Sequence, residues 1–151
     1  MRFKTIRDLL AHLGEAHQAL AKLYHRLTPE ADAERTRMML HYLVEHEQKL
    51  ADEFAQYLAA HNDKLLDTWF DKARDSDFEQ QLRRVSLAAT ATQEDVLALA
   101  LKLDNRLLED IEALLPLCPS DSSRELLSDL VKVSHDRQHQ LVHQTQRMYD
   151  L

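Results

Sequence analysis

Residues 62–91 read NDKLLDTWFDKARDSDFEQQLRRVSLAATA, and this stretch decides how the rest of the chain is arranged. Sustained helical patterns lie on either side of it. Inside it the pattern breaks into Leu65, Leu66, Trp69 and Phe70, then Asp77 with Gln80, which predicts short helical pieces lying across a larger body. Upstream, Thr5 with Asp8 marks a helix start, and Ile6, Leu9, Leu10, Leu13, Leu20, Leu23, Tyr24 and Leu27 follow at helical spacing. Thr28-Pro29 supplies a cap and a first-turn proline for a second helix, which carries Met39, Leu43, Leu50, Phe54 and Leu58 and stops at Asn62. Downstream, Thr92 with Asp95 opens a third helix that ends before Pro116, and Ser122 with Glu125 opens a fourth that reaches almost to Leu151. The expected helices are thus about 6–27, 29–61, 92–115 and 122–149, with a crossover over 62–91. Short links make antiparallel neighbours, so the predicted fold is an all-α antiparallel four-helix bundle with one long crossover between helices two and three.

Composition agrees. A chain of 151 residues fits a single domain over 1–151 with a sizeable core. One glycine, Gly14, and three prolines are too few for the turns of a β-sandwich, and they exclude glycine-rich phosphate cradles. Gly14 is expected to let two helices approach closely. A net charge of −7 argues against nucleic acid or an anionic membrane as partner. The lone Cys118 has no partner for an internal disulfide and, in a proline turn, reads as an inert thiol. No apolar run approaches the roughly 20 residues of a membrane span. With no signal-type apolar segment after Met1, a cytoplasmic location is expected.

Placing residues at helical steps brings out polar groups on apolar faces. Glu47 falls within roughly 15° of the centre of the second helix's stripe, Asp104 roughly 35° from that of the third, and His17 roughly 50° from that of the first. Ser134 and Arg137 face inward on the fourth. All lie near helix midpoints, which share a level in an antiparallel bundle, so a buried polar layer is predicted. Tyr24 lies close enough to hydrogen-bond into it. The spacing repeats: His17 to Glu47 is 30 residues, as is Asp104 to Ser134, with Leu50 and Arg137 each three positions further.

In these positions, and in the crossover, the chain resembles the rubrerythrin-like branch of the ferritin-like superfamily. That family places a Glu on helices one and three and Glu-x-x-His on helices two and four, around two metal ions. Carried over, the resemblance puts His17 and Asp104 at the lone Glu positions, Glu47 and Leu50 at one pair, and Ser134 and Arg137 at the other. Only Glu47 keeps the family's residue. Arg137 cannot donate a lone pair to a metal, so the dinuclear site is read as lost.

The expectation is a non-enzymatic structural or interaction protein with no cofactor. In this reading Arg137 pairs with Glu47 or Asp104 as counter-charge, and its removal costs roughly 3–5 kcal/mol. The partner is a second copy or another protein. The alternative is a single Fe, Mn or Zn ion held by His17, Glu47 and Asp104, with oxidase-like or metal-sensing chemistry. His135, His139 and His143 form an i, i+4, i+8 stripe that could take a surface metal, although a solvated face is the simpler reading. His41-x-x-x-Glu45 and His135-x-x-x-His139 have hemerythrin spacing but fall on solvated faces. His46 reads as a boundary residue, His12 and His25 as flank or surface residues. Trp69 and Phe70 are expected to cover the core.

Overall fold

A computed structural model describes residues 2–61 and 63–149; the expected helix stop at Asn62 and the final two residues lie outside the described residues. The order is β1 (Arg2–Thr5), α1 (Ile6–Leu27), α2 (Glu34–Ala60), β2 (Trp69–Asp75), α3 (Phe78–Leu82), α4 (Gln93–Leu114) and α5 (Asp121–Tyr149). Single 3-10 turns precede α2, β2 and α5.

Local chemistry fixes the helix starts. The Thr5 and Asp8 side chains cap each other's backbone N–H groups at the head of α1, and Thr92 with Asp95 does the same for α4. At α5 the reciprocal cap is Ser120 with Ser123 instead of Ser122 with Glu125. α2 begins at Glu34, later than expected, because Thr28–Glu30 form a 3-10 turn and Ala31 adopts extended backbone. Arg37 then donates to the Ala31 and Asp32 carbonyls.

The helices bury one stripe each. Ile6, Leu9, Leu20, Tyr24 and Leu27 of α1 meet Met39, Leu40 and Leu43 of α2 and Val96 and Leu114 of α4 in one core cluster. α1 and α2 run antiparallel at close range: a methyl group on Gly14 would come 3.2 Å from Phe54 Cβ.

The crossover departs from the all-α expectation. Instead of only short helical pieces, it contains β2, which pairs antiparallel with β1, Phe3 opposite Arg74 and Thr5 opposite Trp69. Arg2–Thr5, just before α1, are accordingly a strand. Only Trp69 and Phe70 in Trp69–Asp75 favour a strand and no β-branched residue occurs, so the rest of the strand owes its form to pairing with β1. Phe3 and Phe70 point into the core, whereas Trp69 is 63% exposed, so only one of the two crossover aromatics covers it. Backbone contacts bind the crossover down: Ile6 N–H donates to Thr68 O, Asp32 N–H to Ala89 O, and the Thr36 hydroxyl to Ala91 O. The short α3 does follow Asp77, and Arg26 of α1 donates to the Leu82 and Val85 carbonyls at its end.

Candidate functional site

The close α1–α2 approach brings two of the expected polar residues together. His17 Nδ1 and Glu47 Oε2 are hydrogen-bonded at 2.6 Å, and Glu47 is only 2% exposed. The Phe54 ring stacks on the imidazole, its centroid 5.7 Å away. From α4, Asp104 faces the same region. Burial and the nearby Glu47 charge push its carboxyl from the ordinary 3.8 up to about 7, against the opposing pull of His17 and Arg137. Tyr24 is fully buried, and burial, then Glu47 and Asp104, hold its phenol well above the ordinary value. The expected hydrogen bond from Tyr24 into the layer is not formed: its hydroxyl has no partner among the described residues.

His17, His46, Asp104, Ser134 and Arg137 line a cavity of about 50 Å³ together with apolar side chains. That is far below the roughly 300–1,000 Å³ of sites for small organic ligands. Burial holds the His46 imidazole below its ordinary value, with His17, Arg137 and Lys49 adding to the effect and Glu47 opposing it.

Arg137 does not pair as expected. Its Nη2 donates to Glu53 Oε2 at 3.1 Å, not to Glu47 or Asp104, and the side chain is 30% exposed. The physical reason is twofold. Glu47 is already engaged by His17, and a long arginine can run along an apolar wall and keep its guanidinium hydrated near the surface. The layer is therefore not neutralised by a buried guanidinium; the pairing inside it is between an imidazole and a carboxylate.

A second buried polar cluster went unread in the sequence. Asp110 of α4 is fully buried. Arg74 of β2 donates to Oδ1 through Nε at 3.1 Å, with Nη2 at 3.0 Å, and the Ser76 hydroxyl donates to Oδ2 at 2.9 Å. Arg106 Nη1 lies 3.7 Å away. His12, expected at the flank or surface, is 1% exposed; its Nε2 lies 3.4 Å from Oδ2 but is not aligned for a hydrogen bond. Phe3 packs on the imidazole at 4.9 Å. Burial alone would raise the Asp110 carboxyl, but the adjoining His12, Ser76 and Arg74 outweigh it and hold it below the ordinary value. A signal for this cluster was present. Asp110 continues the Leu103, Leu107, Leu114 stripe, and His12 follows Leu9 and precedes Ala16 on one face of α1.

The remaining histidines lie outward. His135, His139 and His143 are exposed, His25 is exposed, and His41 forms a surface pair with Glu45 at 3.2 Å. Cys118 is buried, its thiol donates to Leu114 O, and burial raises its pKa. Among the described residues, no three or more His, Cys, Asp or Glu side chains gather as a metal-binding group. Nor is any described helix long and apolar enough to cross a membrane. No protein-family model, curated protein or solved structure matches this chain.

Proposed function

We propose that this chain is a ferritin-like helical bundle that has lost a competent dinuclear metal site and serves as a non-enzymatic structural or interaction protein. The observation that carries this reading is the His17–Glu47 hydrogen bond of 2.6 Å, which engages the one family-type carboxylate with an imidazole from the neighbouring helix. The donor chemistry supports it. Two metal ions in a helical core need several carboxylates for charge balance. Here Leu50 and Ser134 are poor ligands, and Arg137 brings a fixed positive charge to the cavity. The small size of that cavity argues in the same direction, since it leaves no room for an organic substrate.

A second reading is favoured by one specific observation. Asp104 is driven up to about 7 by burial and by Glu47, so the layer has carboxylates in search of positive charge. A single Fe, Mn or Zn ion on His17, Glu47 and Asp104 would supply it. Against it stands the absence, among the described residues, of a gathered three-ligand group.

Elemental analysis of untagged protein from cells grown with added iron, manganese and zinc separates the two. The first reading expects well under one metal per chain. One tightly held metal per chain supports the second, and two would overturn the loss of the dinuclear site.

A further inference from the structure

We infer that Ser86 is a phosphoacceptor for a protein kinase that reads arginines, and that Arg26 of α1 grips the phosphate and fastens the crossover to the bundle. Residues 82–87 read LRRVSL, which places Arg83 and Arg84 three and two positions before a serine and the apolar Leu87 just after it. In a chain of net charge −7 two adjacent arginines are a local exception, and an acidic kinase groove is the surface that complements them. Among the described residues neither guanidinium is engaged, unlike those of Arg74 and Arg106. Arg83, Arg84 and Ser86 are exposed, and residues 85–88 belong to neither helix nor strand, so no regular ladder has to break to present the hydroxyl. Val85 and Leu87 pack half-buried against the core, which leaves the serine between them on the outside.

The neighbouring helix sets what a phosphate there would meet. Arg26 Nη2 donates to the Leu82 and Val85 carbonyls at 3.4 and 3.1 Å, and Ser86 is the next residue along. Lys22, Arg26 and Arg83 share the groove between α1 and α3, with Glu15 and Glu79 as the opposing charges. A phosphoserine carries a charge of about −1.5 to −2 at neutral pH and is rich in acceptor oxygens. It outcompetes two neutral carbonyls held at long range, so Arg26 exchanges weak clips for charge-assisted ones. In the transfer, Ser86 Oγ attacks the γ-phosphorus of a nucleoside triphosphate. The new O–P bond forms as the bond to the leaving nucleoside diphosphate breaks, and the hydroxyl proton passes to the kinase's catalytic carboxylate.

None of these residues belongs to the central layer, so the elemental assay and the test below fail separately. The folded, untagged chain is incubated with ATP and an arginine-directed serine kinase, and the product is read by intact mass and peptide mapping. One phosphate per chain, on Ser86, is expected, with none on Ser86→Ala. Arg84→Ala should lower kcat/KM for the transfer by about tenfold or more. In the phosphorylated chain the amides of residues 83–91 should exchange hydrogen more slowly than in the unmodified one. Arg26→Gln should still take the phosphate but lose that protection. Arg26, Arg84 and Ser86 are exposed, so helicity by circular dichroism should not change in the variants. A folded chain that takes no phosphate where a peptide of residues 79–91 does, a phosphate on another residue instead of Ser86, or exchange in 83–91 that quickens on phosphorylation would each overturn the inference.

Discussion

Two of the three histidines of helix α1, His12 and His17, each meet a buried carboxylate from another helix. At His12 the carboxylate is Asp110, and arginine and hydroxyl donors from the crossover complete its shell. At His17 the carboxylate is Glu47, and a second acid, Asp104, stands nearby without an arginine bonded to it. The difference shows in the direction of the carboxyl pKa values. Burial pushes both upward; at Asp110 the adjoining His12, Ser76 and Arg74 outweigh it, whereas at Asp104 burial is joined by the Glu47 charge and prevails. Burial alone therefore does not decide the charge state; the number and alignment of donors does. The Asp110 cluster ties β2 and α1 to α4, and its contacts have the character of a structural latch. The Glu47–Asp104 layer is a region whose charges are incompletely matched.

The largest effect should come from the matched region. Asp110→Ala leaves Arg74 and His12 beside an uncompensated cavity and should lower the unfolding free energy by about 3–5 kcal/mol, read by denaturant titration. A loss under about 1 kcal/mol would mean the latch is not a buried network at all.

The unmatched region should respond with the opposite sign. Asp104's folded-state value lies above its unfolded one, so it favours folding while protonated and withdraws that support as pH rises from about 4 through about 7. Asp110 lies below its unfolded value, so its contribution is full above about 4 and drains away as pH falls through its folded value. Asp104→Asn should accordingly raise stability at pH 8, by on the order of 1–3 kcal/mol, and change little at pH 4. Destabilisation at pH 8 would show that the ionised Asp104 has a partner and would erase the contrast.

The smallest effect is expected at Arg137. A guanidinium buried against Glu47 or Asp104 would cost roughly 3–5 kcal/mol to remove, but one that is 30% exposed and paired with the surface residue Glu53 should cost about 1 kcal/mol or less. Thermal melts of Arg137→Leu distinguish these values, and a large loss would return the arginine to the layer.

Much of the helical pattern was legible because capping and periodicity are local. Thr5 with Asp8 and Thr92 with Asp95 cap where their spacing said they would, and Gly14 does lie at a close helix approach. What was not legible depends on distant pairing. Beyond Trp69 and Phe70, β2 has no residue that favours a strand, and the rest of it becomes one by pairing with β1, more than sixty residues away. Within the layer, helical angles brought His17 and Glu47 together but could not choose a partner for Arg137, whose long arm reaches either the core or Glu53. Asp110 and His12 were missed for a different reason. Their helical angles point inward, but the cluster lies away from the helix midpoints and is completed by Arg74 and Ser76, whose placement depends on distant strand pairing.

The contrast between the two carboxylates is tested most directly by following both side-chain carboxyl carbons through a pH titration by NMR. Asp104 should titrate near 7 and Asp110 below the ordinary aspartate value. An Asp104 that titrates at or below the ordinary value, or an Asp110 that titrates above it, would contradict the account.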